Sequence, residues 1–298
     1  MKVVSFILIL TIVMLCFSGC GGTVDSCDIA ATTLPVYQFT AMLVEGTGLT
    51  VTRLVTESVS CLHDYSLNVR QVKAVEAADL VIVNGAGLEE FMEDILDGKQ
   101  TVDASSGISL MESCHDHDHG EDGHHHGEED HHHESDSHIW LSPENAMVMA
   151  QNIFDGLKAQ YPQHEAVFEK NLASLLDRLQ QLSDYGKAQL GGLSCRELIT
   201  FHDGFGYFAQ CFNLEILAAV EEEAGSETSA HQLIELIEEV RHHNLPAIFT
   251  ETNGSDASAK VIAAETGAVT YTLDMAMAGD DYFKAMYHNI DTIREALG

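Results

Sequence analysis

Positive charge is what this chain has least of: 14 Lys+Arg stand against 47 Asp+Glu, a formal net charge of −33 over 298 residues. Nucleic acids are bound through Lys and Arg that displace counterions from phosphate, so that function class is excluded. Such a balance suits cations, or plain solubility. There is no CxxC pair, which argues against a cysteine-ligated structural zinc site, and no HExxH, the helical signature of zinc hydrolases. Beyond the N-terminal segment no stretch is apolar enough to span a bilayer. Disorder of the whole chain is excluded too, because 45% of its residues are apolar. The length suits two domains of about 100–150 residues each.

Residues 1–19 are read as a signal peptide. Lys2 gives a positive start, Val3 to Phe17 is apolar, and Phe17-Ser18-Gly19-Cys20 closes the run with small residues before a cysteine. Fifteen residues span about 22 Å as a helix, short of the roughly 30 Å hydrocarbon core. The ending resembles a bacterial lipobox, which implies cleavage before Cys20, acylation of its sulfur and an extracytoplasmic protein tethered to the membrane through residues 20–27. An ordinary secretory signal is the alternative. Five further cysteines remain, Cys27, Cys61, Cys114, Cys195 and Cys211, and an odd number leaves at least one thiol unpaired in a disulfide.

Short β-rich runs alternate with helical patterns, as in parallel α/β units. Strands are expected near Asp28–Thr32, Thr50–Val55, Leu80–Asn84 and Thr101–Val102, with helices over Val36–Val44, Leu67–Ala77 (Ser66 as N-cap) and Glu89–Leu96. Cys114 to Asp136 offers no apolar anchor and reads as a loop without a fixed fold. Helices follow at Glu144–Gln160 and Gln163–Leu190, the second with a stripe of Phe168, Leu172, Leu175, Leu179 and Leu182 and ended by Gly191-Gly192. Strands near Glu197–Phe201, Glu215–Leu217, Ala247–Thr250 and Val269–Leu273 then alternate with helices at Phe205–Phe212, His231–His243, Ser255–Thr266 and Tyr282–Leu297. The expected fold is therefore α/β: an N-terminal domain over 28–160, a long linking helix over 161–190 and a C-terminal domain over 191–298.

In open α/β sheets, ligands bind outside the carboxyl ends of the strands. His202 and Asp274 each follow an apolar strand directly, His63 lies in the loop after Thr50–Val55, and His138 precedes a helix. Two domains facing each other would bring these four together, and three imidazoles with a carboxylate make a tetrahedral set suited to Zn2+. Each has a plainer reading: a partly exposed polar group at a strand end, the last histidine of the loop for His138, a turn cap for Asp274. Cys61 stands nearby as an alternative soft ligand. His164, His231, His242 and His243 read as surface, the last two at a helix C-terminus that favours cations.

His63-Asp64-Tyr65, Ala78 to Gly85 with Leu88-Glu89, His138-Ile139-Trp140-Leu141-Ser142-Pro143, Phe201-His202-Asp203-Gly204-Phe205-Gly206-Tyr207-Phe208, Ile248 to Glu251, Glu265-Thr266-Gly267 and Leu273-Asp274 follow one another in a recognisable order. In them the chain resembles the solute-binding lipoproteins of bacterial ABC importers for zinc and manganese, cluster A-I, over nearly all of its mature length. The resemblance implies two Rossmann-like α/β domains joined by a long rigid helix, metal in the interdomain cleft, and His63, His138, His202 and Asp274 as ligands. It implies a monomer whose partners are a membrane permease and, through acylated Cys20, the lipid bilayer. The chain departs from the pattern at Cys61-Leu62, Ser137 and Met275, positions where the family commonly has Pro or Asp-Pro.

Manganese members resemble this chain but carry a carboxylate where it has His202, and imidazole favours zinc over manganese. Nine of the 17 histidines lie in the acidic loop, at His115, His117, His119, His124, His125, His126, His131, His132 and His133. They suit weak, exchangeable zinc sites; the plainer reading is a solvated insert. The expected function is capture of Zn2+ outside the cytoplasm for an ABC importer, without catalysis. Its rivals are a manganese-binding member of the same family, a secreted zinc hydrolase with Glu251 as base, and an adhesin.

Overall fold

The computed structural model describes residues 27–57, 62, 65–112, 135–221, 228–252 and 256–298. The chain forms two α/β lobes, each on a four-stranded parallel sheet. In the first, β1 (Ile29–Ala31), β2 (Val51–Arg53), β3 (Leu80–Val83) and β4 (Thr101–Asp103) stand in the order β2-β1-β3-β4. In the second, β5 (Glu197–His202), β6 (Glu215–Glu221), β7 (Ala247–Glu251) and β8 (Val269–Leu273) repeat that order as β6-β5-β7-β8. The direction of winding reverses between β1 and β3 and again between β5 and β7, and such switch points open a crevice at the strands' carboxyl ends.

Local sequence explains the elements. Leu80-Val81-Ile82-Val83 is buried at every position, as a strand covered on both faces requires. α1 (Leu34–Val44) starts with Pro35 in its first turn, where a missing N–H costs nothing. α2 (Val69–Ala77) is capped by Asn68, not by Ser66: the Asn68 side chain accepts from the N–H groups of Arg70 and Gln71, and Gln71 returns a bond to the cap. Asn outdoes Ser66 here because a Gln stands three residues on and completes the capping box. The expected helix from Glu89 is a single 3-10 turn, Glu90–Met92, before α3 (Glu93–Leu96). α4 (Pro143–Gln160) begins at Ser142, whose hydroxyl accepts from Asn145 N–H at 3.3 Å.

α5 (Glu165–Leu190) has 26 residues, about 39 Å of helix. Phe168, Leu172, Leu175, Leu179 and Leu182 are all buried, and each such burial contributes about 1.5–3 kcal/mol. The helix touches both lobes. Near its start Asn171 Nδ2 donates to the carbonyls of Leu43 and Glu45, each at 2.9 Å, and near its end Tyr185 donates to Asp291 Oδ1 at 2.7 Å. The second lobe is completed by α6 (Gly206–Phe212), α7 (Ala230–His243), α8 (Ala257–Thr266) and α9 (Tyr282–Leu297).

One hydrophobic core runs through both lobes, joining Ile29, Phe39 and Ile82 of the first to Phe249, Tyr282 and Ile290 of the second. Polar bonds cross the same seam. Leu34 N–H donates to Met277 O at 3.2 Å, Tyr282 N–H to Gln38 Oε1 at 2.6 Å, and Trp140 Nε1–H to Met275 O at 2.7 Å. No helix among the described residues is long and apolar enough to cross a membrane.

Candidate metal centre

Strand β5 ends at His202, which is only 3% exposed. From the other lobe His138 enters just before the 3-10 turn Ile139–Leu141. Their Nε2 atoms lie 3.2 Å apart, with the rings edge to face at 84° and centroids 5.0 Å apart. Two nitrogens bound at 2.0–2.1 Å to one tetrahedral ion are separated by about 3.3 Å, so the spacing of this pair would suit two ligands of one zinc ion.

His138 is fixed from behind. Its Nδ1 lies 2.8 Å from Asp136 Oδ1, which also accepts the His138 backbone N–H at 2.8 Å. A carboxylate on Nδ1 keeps the proton there and leaves the Nε2 lone pair facing inward, the arrangement that orients metal-binding histidines. Asp136 is held in turn: its carbonyl accepts from Tyr207 OH at 2.9 Å and its N–H donates to Met111 O at 2.9 Å. The Trp140 ring packs against His138 at 5.2 Å between centroids.

Below His138 sits a polar lattice at the carboxyl ends of β1 and β3. Asn84 Nδ2 donates to Ser137 O at 3.1 Å, and Asn84 N–H donates to Glu89 Oε1 at 2.8 Å. Glu89 also accepts from Thr32 OH at 2.6 Å and Gly85 N–H at 3.0 Å. Burial pushes its carboxyl up to about 7 against those three donors, which act to lower it. Gly85 has φ +82, and a Cβ there would run into Asp103 and Ser105, so only glycine closes this turn.

Asp274 follows β8 and is half-buried. Its main chain is pinned by Asn289, which accepts from Asp274 N–H at 2.8 Å and donates to Asp274 O at 2.7 Å, and its Oδ1 accepts Ala276 N–H at 2.8 Å. The neighbouring Met275 reaches the histidine pair: a Cβ built on Gly204 would lie 2.7 Å from Met275 Cε, 2.9 Å from His202 Cδ2 and 3.0 Å from His138 Nδ1. Glu251 ends β7, between β5 and β8, and is 4% exposed.

The structure thus brings His138 and His202 into contact, with the residue after Asp274 beside them. His63 and the alternative ligand Cys61 lie outside the described residues, but their neighbours are fixed. Leu62 is fully buried, and Tyr65 donates to Glu57 Oε2 at 2.6 Å and packs on Phe91. Cys20, Cys114 and the nine loop histidines also lie outside the described residues. Cys27, Cys195 and Cys211 are free thiols.

One expectation is corrected. Asp136, read with the unanchored loop, is instead held against His138, next to a bridge between Glu112 and Ser135. The signal for it was the Asp-x-His spacing of 136 and 138. Asn84 and Glu89 carried the resemblance without an assigned role, and Tyr207 was likewise only a motif member.

Known proteins resemble this chain along nearly all of its described length. The family model for the periplasmic component A of zinc-uptake complexes, ZnuA, matches residues 29–296. The zinc-binding lipoprotein AdcA of Streptococcus pneumoniae strain R6 is 31% identical over 288 residues, covering 90% of this chain and 55% of AdcA. The chain therefore spans about half the length of the AdcA relatives it matches. A crystal structure of ZnuA aligns over 92% of this chain and 100% of its own, with TM-score 0.77 and 28% identity. The Zn(II)-bound ZnuA-like domain of Streptococcus pneumoniae AdcA aligns over 92% and 99%, with TM-score 0.75 and 26% identity.

Proposed function

The chain belongs to the family of periplasmic zinc-uptake component A proteins, and on that premise we propose that it captures Zn2+ outside the cytoplasm and delivers it to the membrane permease of an ABC importer. It binds and releases; it catalyses nothing. The ligands of the primary site are His63, His138, His202 and Asp274, in a cleft between an N-terminal domain over 28–160 and a C-terminal domain over 191–298 linked by the helix in 161–190. The observation that carries this reading is the 3.2 Å approach of His138 Nε2 to His202 Nε2 from opposite lobes. Three imidazoles and one carboxylate favour zinc over manganese, which prefers harder oxygen donors. A hydrolase would keep a coordination position open for water beside a base, whereas this ligand set fills all four. Acylation of Cys20 holds the protein, a monomer, at the membrane, and the histidines of residues 115–133 bind further zinc weakly.

The test is metal analysis of protein purified without added metal, followed by competitive zinc titration of the parent and of His202→Ala. The parent should hold one tight zinc. The variant should keep its fold and lose several kcal/mol of affinity at that site, as the removal of one ligand from a strong site entails. An unchanged tightest dissociation constant would rule His202 out. Manganese retained in preference to zinc would overturn the choice of metal.

A further inference from the structure

At the opposite pole of the second lobe lies another group of donors. Strand β5 carries His202 at its carboxyl end and Glu197 at its start, so five residues of extended chain, about 16 Å, separate that pole from the primary centre. Against Glu197 packs the C-terminus of α7, bearing Glu239, His242 and His243. Glu239 precedes the two histidines by three and four residues, the spacing that puts helical side chains on one face. One donor atom from each of the three lies within 4.8 Å of the other two.

The geometry around His243 would suit a metal-binding histidine. Its Nδ1 lies 3.0 Å from Glu197 Oε2, and its Nε2 lies 3.3 Å from Glu239 Oε2. The first contact is the carboxylate that fixes tautomer and ring direction. The second equals the separation, about 3.3 Å, of two ligand atoms on one tetrahedral ion. His242 stands beside it with ring centroids 4.8 Å apart at 85°. Arg241 does not neutralise the cluster, because its guanidinium turns to Glu265, donating to that residue's carbonyl at 2.7 Å. The negative end of the helix dipole adds to the attraction for a cation.

We propose that Glu239, His242 and His243 form a second, exposed binding site for zinc or a similar borderline divalent ion, with Glu197 as the positioning residue and water in the remaining position. Three ligands at the surface, two exposed and His243 half-buried, bind more weakly than four in a cleft, so this site fills after the primary one. It is independent of the histidine loop, and its failure leaves the primary site as argued.

The experiment follows backbone amide signals of residues 239–244 in the full-length protein as zinc is added past the first equivalent. In the parent these signals should shift and saturate. In His243→Ala they should stay put, while the tight zinc is retained. Glu197→Gln should weaken the site about tenfold without abolishing it, as loss of an orienting carboxylate does. Signals unmoved at saturating zinc in the parent overturn the proposal. Equal shifts in His243→Ala do so as well, since other groups would then be the ligands.

Discussion

Replacing Gly204 by alanine tests how tightly the histidine pair is held. Gly204 does not need glycine's backbone freedom; what it supplies is space. The new methyl carbon would lie 2.7 Å from Met275 Cε, 2.9 Å from His202 Cδ2 and 3.0 Å from His138 Nδ1. Ordinary contact begins near about 3.5 Å. The flexible Met275 end can swing away, but His138 is held by Asp136 and Trp140, so an imidazole must retreat by roughly 0.5 Å. Metal sites tolerate ligand displacements of about 0.2 Å, so the Nε2 pair loses the spacing that suits two ligands of one ion. We expect zinc affinity to fall about 10–100-fold, equivalent to about 1.4–2.8 kcal/mol. Overpacking should also lower the stability of the metal-free protein, by about 1–3 kcal/mol. Competitive titration against a chromophoric chelator reads the first, and thermal unfolding without metal reads the second. Gly192→Ala is the control, because a Cβ there meets nothing within 4 Å. A Gly204→Ala protein whose zinc dissociation constant stays within twofold of the parent would refute the reasoning.

Asp136→Asn keeps an oxygen facing His138 but removes its charge, so zinc should bind about tenfold more weakly, and Asp136→Ala about 100-fold; parent-like affinity in the alanine variant would show that His138 needs no orienting partner. Glu89 makes metal-free stability depend on pH. Its folded pKa of about 7 lies above the ordinary 4.5, so in that window the native carboxyl keeps a proton the unfolded chain has lost. Stability from this group is complete below about 4.5 and declines as pH rises to 7, by about 3 kcal/mol in all. Urea unfolding at several pH values should show a flatter profile for Glu89→Gln, and equal slopes would refute the assignment. Excising residues 113–134 should spare the tight zinc and remove weaker equivalents, because Glu112 and Ser135 are already paired across the gap; calorimetry showing the tight site gone would mean that the loop supplies a primary ligand.

Periodicity and punctuation in the chain were enough for the eight strands, the long helix with its Phe168 to Leu182 stripe and the α/β class. These follow from local rules: the central parallel strands read as buried apolar runs, outer ones such as β2 and β8 as short β-branched stretches, and a packed helix shows its seam every three to four residues. The element ends were less legible. Asn68 displaced Ser66 as cap because a cap is decided by the partner three residues on, and the segment from Glu89 broke into two short helical pieces.

His202 and Asp274 could be singled out because a strand's carboxyl end is a position in the sequence as well as in space. What sequence could not supply was distance between lobes. That His138 meets His202, 64 residues away, is decided by the shared core and by bonds such as Trp140 to Met275 and Tyr282 to Gln38. The same holds for Asp136, which reads as part of the acidic loop but meets His138 beside the Glu112–Ser135 bridge. Residue types determined which chemistry the chain carries, since imidazole and carboxylate choose the metal wherever they stand. Tertiary packing alone decided that His138 and His202 stand together, because coordination depends on separations of a few ångströms between groups far apart in the chain.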